Sequence, residues 1–427
     1  MTSPKKKYVV VGSSGRSHMF TRAIAEQFKD QAELLALCDT NRQRMTFSNK
    51  LFEEWGGYPV KHYIADDFDK MIKEQKPDVV IVVTKDCVHH KYIIRAMELG
   101  CDVITEKPMT MDAVKCQAVI DAAKKTGKKL TVTFNYRYAP ARSKLRRLIK
   151  DGAIGDVISV DFHWYLDTRH GADYFRRWHR NKENAGGLMV HKATHHFDLV
   201  NWWIDSEPVK VYATGGLEFY GDPSHNDGMV SERCHGCQHS QNCKFHLDIS
   251  QGNLKGMYLD AEGEDGYLRD RCVFSKGIDI EDTMNVAVDY KNGVRMSYSL
   301  NAFMPYEGYK IAFNGTKGRL ELDCLEASFI NSEDGYAERG GSSNYEKMML
   351  FRSFKSGEEI EIPKGVGGHG GGDVPLLNDV FLGASADDDL HHAAGMRDGA
   401  MSILTGIAAN ESMKTGLPVD VTKLVKF

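Results

Sequence analysis

The run Tyr8-Val-Val-Val-Gly-Ser-Ser-Gly-Arg-Ser17, near the start of this 427-residue chain, decides the fold. Its apolar, mostly β-branched residues predict a buried strand, and the glycines and serines after them predict a tight turn. A helical pattern follows through Phe28, and a second apolar run at residues 34–38 ends at Asp39. A strand, a glycine turn, a helix, a strand and an acid, in that order, are typical of a βαβ unit that binds a dinucleotide.

The turn after the first strand departs from the usual G-x-G-x-x-G pattern, because serines stand where the second and third glycines are expected. Gly12 allows the tight turn, and Gly15 lets backbone N–H groups approach a pyrophosphate at the helix N-terminus. We therefore expect Gly12, Ser14, Gly15 and Arg16 to contact the cofactor.

Asp39 is the acidic residue that we expect to select the nucleotide. It follows Gly12 by 27 positions, more than the usual spacing of about 20. At the end of a strand, its carboxylate can accept both ribose hydroxyls and would repel a 2′-phosphate, which favours NAD. Arg42 and Arg44 lie close enough in the sequence to leave NADP open, and capping of the next helix is the other role open to Asp39.

Three further apolar runs, at residues 77–83, 100–105 and 129–134, predict more strands of a parallel sheet. The carboxyl ends of parallel strands meet at one edge, which is where doubly wound sheets bind ligands. The polar residues expected at this edge on the cofactor side are Thr84, Asp86, His89, Glu106, Lys107 and Asn135. Lys107 stands before a proline, which holds it extended, and its amine can polarise a substrate oxygen or move a proton.

The composition is that of a soluble globular protein, with 42% hydrophobic and 27% charged residues, and the chain is long enough for two domains. A net charge of −4 gives no electrostatic case for a nucleic acid or an anionic membrane as partner. No apolar run approaches about 18 residues, so we expect neither a signal peptide nor a membrane span. Nine cysteines, an odd number, agree with reduced thiols and a cytoplasmic location.

The stretch 185–203 is dense in apolar residues and is predicted to form one buried helix. His191, His195, Asp198 and Trp202 recur at helical spacing and would line one face of it. Buried polar groups are costly unless they are satisfied or used. Core histidines bonded to backbone and a two-histidine metal face are two interpretations, and the favoured one is a proton-handling face directed at a substrate.

Two further segments carry side chains suited to a sugar. In the run 174–180, Tyr174 and Trp178 supply aromatic faces and Arg177 supplies fork-like donors, although a basic helix with its aromatic residues in the core is an equal alternative. His369 lies in the glycine-rich loop 365–373, which is either a flexible tip or a loop that approaches the substrate closely.

The polar stretch 215–272 is too long for an ordinary connection and is predicted to be an insertion. It contains Cys234, Cys237, Cys243 and Cys272. A Cys-x2-Cys pair is half of a tetrahedral metal site, so structural zinc is one hypothesis, with plain reduced thiols and redox chemistry as the others. Such a zinc ion would order the segment and take no part in the reaction.

Together these motifs resemble those of the Gfo/Idh/MocA oxidoreductases, the family of glucose–fructose oxidoreductase and inositol dehydrogenase. Besides the glycine turn and Asp39, the resemblance rests on residues 84–89, 106–109, 135–137, 186–198, 398–402 and 408–419. It implies an α/β chain: an N-terminal NAD(P)-binding Rossmann domain with a doubly wound parallel sheet, residues 1–136, and a C-terminal α+β domain with an open, largely antiparallel sheet, residues 137–427. A helix at 393–413 would pack back on the first domain, and the second sheet would join copies into a homo-oligomer.

Transferred to this sequence, the resemblance makes Lys107 the active-site lysine and His195 the histidine beside the sugar hydroxyl. The helix of the family usually carries aspartate at the position of His191 and glycine at that of Ala193, whereas His195 and Asp198 keep their places. His191 is therefore a second candidate base, and Asp198 is expected to orient the imidazole.

The resemblance predicts an NAD-dependent oxidoreductase that moves a hydride between nicotinamide and a ring carbon of a sugar or glycoside, with C3 as the expected carbon. Lys107 would stabilise the developing alkoxide, and Arg137 and Lys192 would lie beside the substrate. Residues 191–196 are similar to those of glycoside-processing members, so an NAD-dependent glycoside hydrolase that acts through transient oxidation and elimination is the alternative. A non-catalytic protein that senses NAD or a sugar is the third hypothesis.

Overall fold

The computed structural model describes residues 4–327, 329–331, 338–340, 345–366, 368–384 and 388–427. The strands are β1 (Lys6–Val11), β2 (Ala32–Asp39), β3 (Lys61–Ile64), β4 (Val79–Val82), β5 (Asp102–Thr105), β6 (Leu130–Val132), β7 (Val157–Asp167), β8 (Pro208–Gly216), β9 (Thr283–Tyr290), β10 (Arg295–Met304), β11 (Glu307–Gly315), β12 (Gly318–Ala327), β13 (Phe329–Asn331), β14 (Glu338–Gly340), β15 (Tyr345–Arg352), β16 (Glu358–Ile360), β17 (Ala394–Gly395) and β18 (Val419–Asp420).

The helices are α1 (His18–Glu26), α2 (Arg42–Glu54), α3 (Phe68–Gln75), α4 (Asp86–Glu98), α5 (Ala113–Thr126), α6 (Pro140–Lys150), α7 (His170–Arg176), α8 (Lys182–Ala185), α9 (Gly187–His191), α10 (Thr194–Trp203), α11 (Gly252–Leu254), α12 (Glu262–Asp265), α13 (Gly368–Gly371), α14 (Asp373–Leu382) and α15 (Met396–Thr415). Single turns of tighter or wider helix lie at Ala65–Asp67, Asn135–Tyr138, Trp178–Arg180, Pro223–Asn226, Lys255–Leu259 and Val421–Lys423.

The first sheet has the strand order β17-β6-β5-β4-β1-β2-β3 and is parallel except for β17, which pairs antiparallel with β6. Val9 and Val11 of β1 pack into the core on one face, and Tyr8 and Val10 pack into the core on the other. A strand that is buried on both faces explains why its sequence is continuously apolar. The prediction of a doubly wound parallel sheet is confirmed.

The second sheet has the order β16-β15-β12-β11-β7-β10-β9-β8-β18, and only the β7–β10 pairing is parallel among its described neighbours. Alternate residues of β7, such as Phe162 and Trp164, are fully buried, and the ring of Phe162 packs against Trp203 of α10. The prediction of an open, largely antiparallel second sheet is therefore also confirmed.

The C-terminal part of the chain returns to the first sheet at two places. Phe381 of α14 stacks on Phe28 at 4.8 Å between ring centroids and so covers the second face of that sheet. The helix expected at 393–413 is α15, which contacts β6 and α5 of the first domain as well as α9 and α10. Its Gly406 lets α9 approach closely, since a Cβ there would lie 2.2 Å from the carbonyl oxygen of Met189.

The stretch 185–203, predicted to form one helix, forms α9 and α10 with a break between them. The N–H groups of Lys192 and Ala193 both bond to the carbonyl of Leu188, so the helical register changes at that point. His191 ends α9, whereas His195 and Asp198 belong to α10. The prediction of one continuous face was therefore wrong, because it assumed a single helical register.

The insertion 215–272 contains short helices and irregular backbone, and a part of it packs on α2. Its four cysteines line one small cavity, but within the described ranges no three His, Cys, Asp or Glu side chains are grouped so that they could hold a metal ion. Arg176 donates to Cys234 Sγ at 3.2 Å, and Asn226 lies 3.4 Å from Cys243 Sγ. The zinc hypothesis for Cys234, Cys237, Cys243 and Cys272 is therefore not supported. In the same described part of the chain, no helix is long and apolar enough to cross a membrane.

Candidate active site

Two adjoining cavities open at the carboxyl edge of the first sheet, where β1, β2, β4 and β5 end. The outer cavity, of about 1240 Å³, extends from the glycine turn to Asp39 and Arg44. The inner cavity, of about 850 Å³, contains the side chains of Lys107, His191 and His195. Both cavities are lined by Ser14, Val83, Thr84, Arg177 and Trp178. This is the edge at which doubly wound sheets bind their ligands.

The glycine turn lies against the end of β4. Gly12 has φ +99°, and a Cβ at this position would lie 2.4 Å from the carbonyl oxygen of Val83, so no other residue fits without a shift of the backbone. A Cβ on Gly15 would instead meet nothing closer than Tyr258 Oη at 3.9 Å. The close approach at Gly12 and the open space at Gly15 fit a turn that receives a pyrophosphate.

Asp39 ends β2 and lines the outer cavity. Its carboxylate accepts the backbone N–H of Ser13 at 2.6 Å and that of Asn41 at 2.9 Å, which leaves acceptor positions for a ligand. The N-cap of α2 is Asn41, whose side chain accepts from the N–H of Arg44 at 2.9 Å. Asn41 and not Asp39 therefore caps α2, so the helix-capping interpretation of Asp39 is wrong.

His191 and Asp86 form a buried pair in the inner cavity. His191 Nδ1 lies 2.5 Å from Asp86 Oδ2, at the N-terminus of α4. Burial, followed by the charge of Lys107, holds the pKa of His191 well below its usual value, and burial raises the pKa of Asp86. A neutral imidazole with a carboxylate on its far nitrogen is arranged to accept a proton.

Lys107 lies beside this pair, and its Nζ donates to the backbone carbonyl of His191 at 3.2 Å. Burial lowers the pKa of Lys107 to about 8, although Glu106 acts in the opposite direction. Glu106 itself accepts from Arg16 Nε and from Thr133 Oγ1, both at 2.9 Å. Lys107 is therefore a cation that loses its proton within the pH range in which enzymes work.

His195 stacks on the ring of Tyr136 with 4.2 Å between centroids. Its Nδ1 is buried and has no hydrogen-bond partner among the described residues. Burial, with Lys107 as the next cause, lowers its pKa well below the usual value. His195 is therefore a neutral imidazole that is held in place by stacking. The hydrogen bond from Asp86 goes to His191 and not to His195.

Five residues expected on the substrate side do line the inner cavity: Tyr174, Arg177, Trp178, Lys192 and His369. Lys192 donates to Tyr136 Oη at 3.2 Å, and Arg177 lies 3.5 Å from Asp173. His369 is paired with Asp373 at 2.9 Å. His369 of the loop 365–373 thus reaches the cavity, and Tyr174, Arg177, Trp178 and His179 of the run 174–180 line it.

Arg137 and Asp198 do not line this cavity. Arg137 Nε donates to Asp198 Oδ2 at 2.8 Å, Arg137 Nη2 donates to Asp398 at 2.9 Å, and both members of the Arg137–Asp198 pair are fully buried. They lie instead in a separate surface cleft beside Trp202 and Arg397. The expectations that Asp198 orients the imidazole and that Arg137 contacts the substrate therefore disagree with the structure, because each satisfies the other's charge.

Two of the expected cofactor contacts serve other side chains or backbone. The amide of Asn135 donates to Asp373 at 2.6 Å, and Asn135 lines neither cavity, so it supports the loop of His369. His89 lies at the wall of the inner cavity, with its ring nitrogens 2.9 Å from the Pro108 carbonyl and 3.0 Å from that of Thr84. His89 therefore ties together the loops that follow β4 and β5.

Sequence reasoning missed three members of the cavity. His179 stacks on Trp178 at 3.6 Å and meets the ring of His191 at 4.1 Å. Tyr136 supports His195, and His170 lies 3.0 Å from Tyr174 Oη. His179 and Tyr136 belong to motifs that the sequence had already singled out, the run 174–180 and residues 135–137. Their positions in these two motifs were the signal from which His179 and Tyr136 could have been predicted.

Two family models match the chain. The model described as "Oxidoreductase family, NAD-binding Rossmann fold" matches residues 6–134, and the model described as "Oxidoreductase family, C-terminal alpha/beta domain" matches residues 146–421. The first match spans β1–β6 of the first sheet, and the second spans β7–β18.

Known proteins resemble the chain over most or half of its length. The protein YteT of Bacillus subtilis (strain 168) is 38% identical over 434 residues, which cover 99% of each chain. D-glucoside 3-dehydrogenase of Escherichia coli (strain K12) is 31% identical over 215 residues, 49% of this chain and 57% of that protein. The WlbA dehydrogenase from Bordetella pertussis, solved with NADH and UDP-GlcNAcA, has a TM-score of 0.64 at 16% identity and shares the fold over 98% of this chain and 99% of its own. The chain therefore belongs to the Gfo/Idh/MocA oxidoreductase family.

Proposed function

We propose that the protein oxidises a sugar or glycoside at a ring carbon, with NAD as the hydride acceptor. The observation that supports this most directly is that Lys107, His191 and His195 line one cavity that adjoins the outer cavity of the Rossmann domain. Proton-handling groups beside a dinucleotide site are what the oxidation of an alcohol requires.

The residues of the outer cavity fit a dinucleotide. The N–H groups of the glycine turn would hold the pyrophosphate, and Asp39 would accept from the ribose hydroxyls. Bound NAD⁺ supplies an acceptor for the hydride that leaves the substrate carbon. This assignment leaves the inner cavity, with its imidazoles and Lys107, for the sugar.

His191 acts as the base. Its Nδ1 is held by Asp86, so Nε2 is the nitrogen that can take the proton of the reacting hydroxyl. The low pKa of His191 keeps this nitrogen unprotonated at neutral pH, and the hydrogen bond between its Nδ1 and Asp86 fixes the orientation of the ring. The hydroxyl proton thus goes to His191, and the electron pair of the C–H bond leaves as hydride.

Lys107 stabilises the negative charge that develops on the substrate oxygen. Its Nζ is fixed by the carbonyl of His191, so the cation and the base approach the same hydroxyl group. His195, held on the ring of Tyr136, is placed to bond a neighbouring hydroxyl. General acid–base catalysis of this kind contributes about 10²–10⁴ in rate.

The substrate class follows from the walls of the inner cavity. Tyr174 and Trp178 offer aromatic faces on which a pyranose ring can stack, and Arg177 and Lys192 offer donors for its hydroxyls. The similarity to D-glucoside 3-dehydrogenase favours C3 as the oxidised carbon. We therefore propose a glucoside or a close relative as substrate.

Incubation of the purified protein with NAD⁺ and a panel of methyl and nitrophenyl glycosides tests the proposal. We expect one or more glycosides to give NADH, followed by its absorbance, and a 3-keto product, identified by mass spectrometry after borodeuteride reduction. If NAD⁺ binds and no glycoside is oxidised or cleaved, the proposal is wrong and the sensing hypothesis replaces it.

A second candidate is hydrolysis of a glycoside with NAD that stays bound. It is favoured by the insertion, part of which lies over the outer cavity and would hinder exchange of the cofactor. The net reaction adds water across the glycosidic bond and leaves NAD in its starting state. Released nitrophenol without accumulated NADH would identify the hydrolase, whereas one NADH per turnover identifies the dehydrogenase.

Homo-oligomerisation through the second sheet, as well as a cytoplasmic location, stays a prediction of the family resemblance. Sedimentation velocity of the purified protein measures the first of these. A single species with the mass of one chain at micromolar concentration would contradict it.

A further inference from the structure

Residues 257–267 of the insertion, which we call the covering segment, lie against α2 and along the outer cavity. Asn41 Nδ2 donates to the carbonyl of Ala261 at 2.8 Å in a buried contact, and Arg44 Nε donates to the carbonyl of Met257 at 3.2 Å. Both donors belong to the start of α2, directly after Asp39. The covering segment is thus hydrogen-bonded to the residues that follow Asp39, the proposed ribose-binding acid.

Arg44 is held between two carboxylates, one from each side of this contact. Its Nη1 lies 2.9 Å from Asp265 of the covering segment and 3.8 Å from Asp39, and its side chain is only 9% exposed. The sequence left Arg44 open as a partner for a 2′-phosphate. In the structure its Nη1 is paired with Asp265, so a carboxylate of the covering segment already shares its charge.

Two tyrosines of the covering segment line the outer cavity, Tyr258 and Tyr267. Tyr258 Oη would lie 3.9 Å from a Cβ built on Gly15, so the segment faces the glycine turn. Arg44 lies over the rings of both tyrosines, with 5.8 and 5.9 Å from its Cζ to their centroids. One wall of the cavity therefore comes from the Rossmann domain and the facing wall comes from the insertion.

We propose that the covering segment is part of the dinucleotide site: Asp265 excludes NADP, and Tyr258 and Tyr267 enclose the bound dinucleotide and slow its release. This inference rests on the proposed function, since it assumes that the outer cavity holds a dinucleotide.

The charges around the cavity support the exclusion of NADP. A 2′-phosphate would face Asp39 and Asp265, and the guanidinium between them carries one positive charge against their two negative charges. The other cations that line the cavity are Lys85 and Arg177. Arg177 is shared with the inner cavity and lies beside Asp173, and Lys85 lies near the ring of Tyr267.

The first experiment measures the dissociation constants of NAD⁺ and NADP⁺ by calorimetry. We expect the wild type to bind NAD⁺ at least 100-fold more tightly than NADP⁺. Asp265→Asn removes one negative charge and frees Arg44, so we expect the preference for NAD⁺ to fall at least tenfold. Asp260→Asn is the matched control, because Asp260 is an exposed carboxylate of the same segment that pairs with Lys255 and does not line the cavity.

The second experiment measures cofactor release by stopped-flow, from the fluorescence of bound NADH when it is displaced by excess NAD⁺. We expect Tyr258→Ala and Tyr267→Ala to release NADH at least tenfold faster than the wild type. Tyr212→Ala is the control, since this tyrosine lies 42% exposed on β8. Melting curves show which variants are folded.

The outcomes separate this inference from the proposed function. If the wild type binds neither nucleotide, both fail. If it binds NAD⁺ and oxidises glycosides but binds NADP⁺ equally well, or if folded Asp265→Asn leaves the preference unchanged, the selective role of Asp265 is wrong while the proposed function stands. If the tyrosine variants release NADH at the wild-type rate, the enclosing role is wrong.

Discussion

Asp86 Oδ2 lies 2.5 Å from Nδ1 of His191, although the two residues are 105 positions apart in the chain. Asp86 opens α4 at the end of β4, and His191 ends α9, so the pair joins the two domains across the inner cavity. The family resemblance leads us to expect a carboxylate at position 191. In this chain the imidazole takes that position, and α4 supplies the carboxylate behind it.

His191→Ala should lower kcat by about 10²–10⁴, because it removes the proposed proton acceptor. Steady-state kinetics with the best glycoside of the panel measure this, and unchanged NAD⁺ affinity shows that the cavity is intact. His163→Ala is the control, since His163 is exposed on β7 and bonds to Ser299 away from both cavities. A folded His191→Ala protein with wild-type kcat would show that His191 is not the base, and His195 would then be the candidate.

The pH dependence of kcat should reflect Lys107, whose pKa burial lowers to about 8. The protonated amine stabilises the developing alkoxide, so kcat is expected to be constant below that pKa and to fall as the pH rises through about 8. Lys107→Arg retains the charge to a pH above about 12 and should remove this decline, at a lower plateau. A kcat that rises through pH 8 would instead show that the neutral amine is the active form.

Asp198→Ala should act on stability more than on chemistry. It leaves the buried guanidinium of Arg137 with the partly exposed Asp398 as its remaining carboxylate partner, and breaking a buried pair costs about 3–5 kcal/mol. Unfolding in urea measures the loss. Glu207→Ala breaks a more exposed pair with Arg397 and should cost less than about 1 kcal/mol. A stable Asp198→Ala protein with a large loss of kcat would contradict this prediction and show that Asp198 takes part in catalysis.

Gly12→Ala should abolish NAD⁺ binding. The added Cβ would collide with the carbonyl of Val83 at 2.4 Å, so the turn and the end of β4 must separate. Gly127→Ala is the matched control, because Gly127 also has a positive φ, at the end of α5, but has nothing within 4 Å. Calorimetric titration with NAD⁺ distinguishes the two: only Gly12→Ala should lose binding. Equal affinity in both variants would contradict the placement of the pyrophosphate.

Removal of metal should leave the protein unchanged. Dialysis against a chelator is expected to leave the melting temperature where it was, because the described cysteines of the insertion are not grouped as metal ligands. Elemental analysis of the purified protein provides the independent measurement. Stoichiometric zinc, together with a lower melting temperature after chelation, would restore the zinc hypothesis.

The sequence by itself predicted the fold, which is confirmed, and the edge of the first sheet at which the candidate site lies. The apolar run of β1, the turn at Gly12 and the acid at the end of β2 are local patterns, and a local pattern sets a strand, a turn or a helix end. Because carboxyl ends of parallel strands must share one edge, the sequence also predicted that Asp86 and Lys107 lie near each other. Helical spacing singled out His195, and the family resemblance assigned it a role beside the sugar hydroxyl and added the second, largely antiparallel sheet.

Only the tertiary structure decided which charged groups are partners. Helical spacing placed Asp198 on the face of His191, yet the register break at Lys192 separates them, and Asp198 pairs with Arg137. In the same way, Asp265 and Arg44 meet although 221 positions separate them. A buried charge is stabilised by whichever opposite charge the packing brings within hydrogen-bond distance, and sequence spacing does not contain that information.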